Sequence, residues 1–143
     1  MDSRELRIGN YVDCNGIVSE IVETRTNYVR LKYFREDVEK EHISLVLLDE
    51  RVKEIPLTEE WLLKFGFEKI ESDYRIQIQK DDSQGNSDYW IYVDSGIDNE
   101  TNKFKVMLVS GEGDWFTTKN KYVHQLQNLY YALTGEELTF KNN

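Results

Sequence analysis

The chain contains one cysteine, one proline and two histidines among its 143 residues. Because Cys14 has no second cysteine to pair with, no disulfide can form within the chain. His42 and His124 lie far apart in sequence, which excludes the closely spaced ligands of a structural zinc site. No apolar run approaches the roughly 18 residues of a membrane-spanning helix, and residues 1–5 are charged rather than apolar. We therefore expect a soluble, cytoplasmic protein with no membrane partner.

Basic residues are also scarce, since 18 Lys and Arg stand against 27 Asp and Glu for a net charge of −9. Nucleic-acid binding draws most of its affinity from cations that neutralise phosphates, so this composition argues against a nucleic-acid partner. The excess acid is typical of a surface that keeps a protein in solution. A local basic strip is still present in the first half of the chain, at Arg25, Arg30, Lys32 and Arg35.

The apolar content is sufficient for a packed core, with 39% hydrophobic and 13% aromatic residues. The chain length fits one domain or two small subdomains. We place the boundary at Pro56, the single proline, and predict a β-rich subdomain over residues 1–56. An α+β subdomain is predicted over residues 57–143, and the two parts are expected to form one compact unit.

The first subdomain is predicted from a hairpin signal and alternating apolar residues. Asn15-Gly16 favours a type I′ turn, which needs positive φ at both central residues. Alternation over Tyr28–Tyr33 indicates a strand, residues 35–41 form a charged loop or frayed helical turn, and the apolar run at 42–48 predicts a buried strand. This succession of short strands is compatible with a small SH3-like β-barrel or meander.

The second subdomain begins with a short capped helix. Thr58 is a suitable N-cap, Leu57 and Leu62 fit a hydrophobic staple, and Gly66 can end the helix in the left-handed conformation. Strands are predicted at 74–79, 89–93 and 104–109, with a further short strand at 138–140. The fold class is therefore α+β, with an antiparallel sheet packed by a C-terminal helix.

The C-terminal helix is predicted from about residue 120 to residue 133, followed by Gly135. Its apolar residues recur at intervals of three and four, which indicates one face toward the core. That face comprises Tyr122, Leu126, Leu129, Tyr130 and Leu133. The polar residues, His124, Gln125, Gln127 and Asn128, fall on the other side, where we expect solvent.

Three segments are similar to a known family. They are LRIGNYV at 6–12, IPLTEEWLLKFGF at 55–67 and YVHQLQNLYYALTGEEL at 122–138. These segments resemble a family of small uncharacterised proteins of Bacteroides-type bacteria and their prophages. The resemblance implies a bacterial or phage cytoplasmic setting, and it supplies no established activity and no catalytic residues.

No pattern in the sequence identifies a catalytic or metal site. Two acidic loops, one with Asp81, Asp82 and Asp88 and one with Asp94, Asp98 and Glu100, lack the spacing of a calcium loop. Cys14 is more typical of a small buried residue than of a nucleophile, and no motif surrounds His42 or His124. We therefore assign no catalytic residue, no metal and no cofactor.

The aromatic strand at 89–93 provides the candidate interaction face. If Tyr89, Ile91 and Val93 point into the core, Trp90 and Tyr92 point outward, on the side of Arg75, Gln77 and Lys105. Aromatic rings with a few cations are common in surfaces that recognise proteins. The alternative is that another part of the chain covers these rings.

The leading hypothesis is accordingly a non-enzymatic protein-interaction module of bacterial or mobile-element origin, whose partner is another protein. Three alternatives stay open: an acidic mimic that inhibits a nucleic-acid-binding protein, a direct nucleic-acid binder acting through the N-terminal β subdomain, and an enzyme whose site is assembled from distant residues. The sequence does not indicate the oligomeric state.

Overall fold

The computed structural model describes residues 3–33, 42–79, 88–95 and 104–140. These residues contain ten strands and two helices, arranged as two antiparallel sheets of five strands each. The predicted α+β class is therefore confirmed. The chain divides into two compact units, one with residues 1–56 and Tyr122–Asn128, the other with Leu57–Lys121 and Leu129–Asn143.

The first unit contains a sheet of five short strands in the order β4-β3-β2-β1-β5. Asn15 and Gly16 connect β1 to β2 with φ angles of 52° and 84°, as the type I′ turn requires. Neither sheet is closed among the described residues, so the expected SH3-like barrel is not confirmed. The five strands are β1 (Tyr11–Cys14), β2 (Ile17–Thr24), β3 (Tyr28–Tyr33), β4 (His42–Leu47) and β5 (Val52–Lys53).

The core of the first unit is built by the inward-facing residues of these strands and by Leu6 from the N-terminal segment. Val12, Ile21, Val29 and Leu31 are fully buried in it. Strand β4 departs from its prediction as a buried strand, because Ile43, Leu45 and Leu47 are exposed and Val46 alone among its apolar side chains packs against the core. The predicted loop at 35–41 lies outside the described residues.

The prediction that the polar side of helix α2 (Val123–Thr134) faces solvent is wrong. His124 and Gln127 are fully buried and Asn128 is half-buried, instead of facing solvent. Gln127 accepts a hydrogen bond from the Tyr11 amide at 2.8 Å and donates one to the Gly9 carbonyl at 2.9 Å. The polar residues of the helix are therefore buried because they satisfy the backbone of the N-terminal segment within the first unit.

Asn128 extends this hydrogen-bonded contact. Its Oδ1 accepts from the Arg7 guanidinium at 2.8 Å and from the Asn10 amide group at 2.9 Å. Its Nδ2 donates to the Glu5 carbonyl. The N-terminal segment thus has several side-chain and backbone bonds to two consecutive residues of α2.

His124 also contacts the N-terminal segment, but only one of its two ring nitrogens has a polar partner among the described residues. Its Nε2 is 3.4 Å from Glu5 Oε2, while its buried Nδ1 has no hydrogen-bond partner among the described residues. Burial lowers the pKa of the His124 imidazole below its ordinary value, and the contact with Glu5 opposes that shift only in part.

We expect His124 to titrate below the ordinary histidine pKa of 6.5. Because the unfolded chain then binds the proton more tightly than the folded chain, the contribution of His124 to stability is complete above pH 6.5 and is lost as the pH falls through the folded pKa. Proton NMR of the imidazole C–H groups measures the midpoint, with His42→Gln used to assign the two histidines. A midpoint at or above the ordinary value would contradict the burial argument.

The second unit contains the other sheet, in the order β10-β9-β8-β7-β6. Its five strands are antiparallel and are joined in sequence order. No helix among the described residues reaches the length and apolarity needed to cross a membrane. The strands are β6 (Glu68–Ile70), β7 (Asp73–Gln79), β8 (Tyr89–Asp94), β9 (Lys105–Ser110) and β10 (Trp115–Thr117).

The helix α1 (Glu59–Lys64) is capped as predicted, since Thr58 Oγ1 accepts a hydrogen bond from the Trp61 amide at 3.4 Å. Gly66 follows the helix with φ of 90°. The ring of Phe65 is fully buried and lies 5.5 Å from Trp61 and 5.9 Å from Phe140. The strand predicted at 138–140 does not form, and Phe140 instead contributes its ring to the aromatic contact.

Candidate functional site

The structure places the five candidate interaction residues on one face of the second sheet. Arg75 is opposite Tyr92 and Gln77 is opposite Trp90 in the pairing of β7 with β8, while Lys105 is opposite Asp94 in the next pair. Cross-strand partners share a face and successive residues alternate. The buried residues Ile91 and Val93 occupy the opposite face, so the predicted register of β8 is correct at these positions.

This outer face is partly covered by its own side chains. The Arg75 guanidinium lies 4.3 Å from the centre of the Trp90 ring, and its Nε is 3.2 Å from Glu68 Oε2. Gln77 Nε2 donates to Asp88 Oδ1 at 3.2 Å. Trp90 is half-buried under this arrangement. Arg75 and Gln77 thus already have partners within the sheet.

Tyr92 is half-buried on the same face. Removal of its phenol from solvent raises its pKa above the ordinary value, and the nearby Asp73 carboxylate adds to the shift. The Tyr92 phenol therefore keeps its proton at physiological pH and presents an aromatic ring with one hydroxyl on this face.

A second feature of this unit, which the sequence analysis did not identify, is an open groove of about 440 Å³. It is lined mainly by apolar side chains from β7, β8, β9, β10 and the end of α2, and we call it the aromatic groove. Its apolar residues are Ile78, Tyr89, Leu108, Trp115, Phe116 and Leu133, and its polar residues are Gln79, Ser110 and Asp114.

The turn between β9 and β10 positions the groove. Ser110 N donates to the Asp114 carbonyl at 2.7 Å, and Asp114 N donates to Ser110 Oγ at 3.3 Å, which closes the turn on itself. Gly113 adopts φ of 97°, a conformation that favours glycine. Gly111 N bonds the Asp88 carbonyl at 2.7 Å and so ties the turn to the start of β8.

The groove exposes large apolar side chains that a core would normally cover. Trp115 and Phe116 are 66% and 67% exposed, and Tyr89 and Leu133 are exposed as well. The prediction that Tyr89 and Leu133 face the core is therefore wrong, because both lie at the rim of the core, where they line this open groove. The sequence feature that indicates this groove is the pair of consecutive aromatic residues, Trp115 and Phe116, directly after the turn at 111–114.

The groove has the chemistry of a binding pocket. Pockets for small ligands and side chains are concave, mainly apolar and equipped with a few polar groups that fix orientation. Asp114 is the one charged residue among the described residues that line it. Exposed aromatic rings beside a carboxylate suit a ligand that combines apolar groups with a cation.

No comparable site is formed by Cys14 or by the acidic side chains in the part of the chain that the structure describes. Cys14 is buried in the core of the first unit. Within the described ranges, no group of three or more His, Cys, Asp or Glu residues is arranged to hold a metal. Asp81, Asp82, Asp98 and Glu100 lie outside the described residues.

The basic strip is partly neutralised in the first unit. Glu23 pairs with the Arg25 guanidinium at 2.7 Å and with the Arg30 guanidinium at 3.0 Å, and these contacts lower the Glu23 pKa. Lys32 lies opposite Glu20 in the pairing of β2 with β3, and Arg35 is outside the described residues. The three described cations of the strip therefore lie beside glutamates of β2.

Comparison with models of known protein families, with curated proteins and with solved structures finds no match to this chain.

Proposed function

We propose that the protein is a non-enzymatic interaction module that binds a segment of another protein in the aromatic groove. The observation that carries the proposal is the exposure of Trp115 and Phe116 beside a pocket of about 440 Å³. Tryptophan and tyrosine are enriched among residues that dominate binding energy at protein interfaces. A contiguous apolar patch on an otherwise polar surface is typical of an interaction site.

The predicted outer face shares one residue with the groove, Trp115, to which a row of side chains in register leads. Trp90 lies opposite Val109 in the pairing of β8 with β9, and Val109 lies opposite Trp115 in the pairing of β9 with β10. The row carries the candidate face from Trp90 to the exposed edge strand. The groove is the proposed centre of binding, and its Leu108 and Phe116 lie on the face of the sheet that carries Ile91. The candidate face on the other side of the sheet is proposed as a second contact surface, and its residues are Trp90, Tyr92, Arg75, Gln77 and Lys105.

The charge of the groove indicates the chemistry of the partner. Asp114 lines the pocket, and the whole chain has a net charge of −9. Complementary charge speeds association and selects partners. We therefore propose that the bound segment presents one or two apolar side chains to the groove together with a lysine or arginine near Asp114.

Peptide display on the immobilised protein tests this proposal. We expect enrichment of peptides that combine aromatic or aliphatic residues with Lys or Arg. We further expect Trp115→Ala/Phe116→Ala to weaken their binding by about 30-fold or more, the effect of removing residues that dominate an interface. Both side chains are exposed, so the variant should keep its fold.

Tyr131→Ala is the matched control for the groove variant, because Tyr131 is an exposed aromatic residue of the same unit that does not line the groove. It should leave peptide binding unchanged. Binding that is equal in all three proteins, or a display with no enriched peptide, would reject the groove as the site.

We further propose an SH3-like relationship for the first unit and a bacterial or phage cytoplasmic setting for the protein. In the first unit, β1 pairs with both β2 and β5, and the strand order β4-β3-β2-β1-β5 supports an SH3-like relationship. The resemblance of residues 55–67 and 122–138 to small Bacteroides-type and prophage proteins supports a bacterial or phage cytoplasmic setting. An interaction module is consistent with both.

A further inference from the structure

The edge strands of the two sheets differ in charge. Of the ten described strands, β4 and β10 are the two without Asp, Glu, Lys or Arg, and each is an edge strand. The opposite edges, β5 and β6, each contain charged residues. Proteins commonly place charges on edge strands to prevent pairing with other chains. The uncharged edge strand β4 is therefore a candidate for pairing with another chain. This argument concerns the first unit and does not depend on the groove.

The backbone of β4 is regular and suited to pairing. Its six residues pair with β3 in uninterrupted register, without the irregularity found between β2 and β3. The Leu48 amide donates to the Asn27 carbonyl at 2.8 Å, and bonded pairs recur at every second residue of an antiparallel ladder. The backbone groups of Ile43, Leu45 and Leu47 consequently point away from β3, toward the open edge.

The side chains of the same three residues form an exposed apolar stripe. Ile43 is 51% exposed and Leu45 is 49% exposed, and Leu47 lies beside the exposed Tyr28 of β3. The stripe is adjacent to Arg30, whose charge is paired with Glu23. Within the described part of the chain no strand pairs with this edge, so β4 presents outward-pointing backbone groups and apolar side chains at the same positions.

We propose that β4 pairs with β4 of a second copy of the chain, antiparallel across a two-fold axis centred on Leu45. In this register Leu45 meets the second copy's Leu45, and Ile43 meets the second copy's Leu47. The spacing of the stripe is symmetric about Leu45, so every apolar position meets an apolar position, as a self-complementary two-fold contact requires.

Charge opposes a second copy less at this strand than at strands that carry acidic residues. Each copy carries a net charge of −9, so most surfaces of two copies repel one another. Strand β4 carries no Asp or Glu, and neighbouring β3 contributes Arg30 and Lys32, each opposite a glutamate of β2. Two copies can therefore join at β4 without bringing acidic side chains of these strands together.

Sedimentation velocity of the purified full chain over a range of concentrations tests the contact. We expect a reversible dimer for the natural sequence and a monomer for Leu45→Lys, with the dimer affinity lowered at least about 100-fold because the two lysines meet at the axis. Leu63→Lys is the matched control, since Leu63 is a similarly exposed leucine of the second unit. It should dimerise like the natural sequence.

The symmetry of the contact gives a more specific test. Leu45→Lys and Leu45→Glu proteins should each be monomeric, whereas their mixture should form a heterodimer, because residue 45 of one copy faces residue 45 of the other. A natural sequence that stays monomeric, a Leu45→Lys protein that still dimerises, or a mixture that does not associate would each overturn the proposal.

Disulfide trapping remains informative if the charged variants unfold. Directly opposed residues in a bonded antiparallel pair have Cα atoms about 5.5 Å apart, which a disulfide can span. Cys14 is buried, so Leu45→Cys adds an exposed thiol to the chain. Mild oxidation should link two Leu45→Cys copies and leave Ile43→Cys copies unlinked, and equal linking of both would contradict the register.

Discussion

Replacing Gln127 by leucine is expected to lower the free energy of unfolding by about 3 kcal/mol, although leucine is apolar and similar in size. The substitution removes the acceptor of the buried Tyr11 amide and the donor to the Gly9 carbonyl. A buried polar group that loses its partner costs about 1–3 kcal/mol, and two backbone groups are affected. Urea denaturation measures the change, and hydrogen exchange at the Tyr11 amide should accelerate.

Gln125→Leu provides the control on the same helix. Gln125 is half-buried and accepts a hydrogen bond from the Tyr122 amide in the first turn, at 3.2 Å. The same change of side chain should therefore cost about 1 kcal/mol or less, as for a single partly exposed hydrogen bond. If the two variants are equally stable, the polar contact between Gln127 and the N-terminal segment does not stabilise the first unit as described.

Truncation of Phe65 is expected to have the largest effect in the second unit. Phe65→Ala should lower the free energy of unfolding by about 4 kcal/mol, because it removes a fully buried ring and leaves a cavity. The substitution also removes one of the aromatic rings next to Trp61, because the Phe65 ring lies 5.5 Å from the Trp61 ring. Equilibrium unfolding in urea, followed by near-ultraviolet circular dichroism, measures both consequences.

Two further substitutions define the origin of that loss. Leu63→Ala, in the same helix but exposed, should change stability by less than about 0.5 kcal/mol, as is usual for surface positions. Phe65→Leu, which keeps most of the buried apolar volume, should lose about 1.5 kcal/mol at most. A Phe65→Ala protein as stable as Leu63→Ala would show that the aromatic contact contributes nothing to the second unit.

The features predicted correctly from sequence are those that depend on neighbouring residues. Asn15-Gly16 forms its turn because both residues tolerate positive φ, and Thr58 caps α1 because its hydroxyl is three residues from the amide it accepts from. The alternation in β8 likewise placed Ile91 in the core and Trp90 on the outer face.

The failures concern residues whose partners lie far away in sequence. Gln127 bonds Gly9 and Tyr11, more than a hundred residues earlier, so helical periodicity alone assigned its side to solvent. His124 was misplaced for the same reason, through its contact with Glu5. A periodic pattern separates polar from apolar side chains, but it does not indicate whether a polar side chain has a distant partner.

The candidate site was only partly predictable for a related reason. The outer face followed from register, but the exposure of Tyr89, Phe116 and Leu133 depends on where the covering elements end. The apolar run of β4 predicts a buried strand, yet its position at the edge of the sheet leaves Ile43 and Leu45 exposed. Sequence indicates that a strand is apolar without indicating its place in the sheet.

The burial of Cys14 gives the protein a built-in probe of its own motions. Its thiol is the only one in the chain and lies among the core residues Val12, Ile21 and Val52. A thiol-specific reagent can reach it only in molecules whose first unit has opened, at least locally. The rate at which Cys14 is labelled in native buffer therefore measures how often the first unit opens, without denaturant and without an engineered reporter.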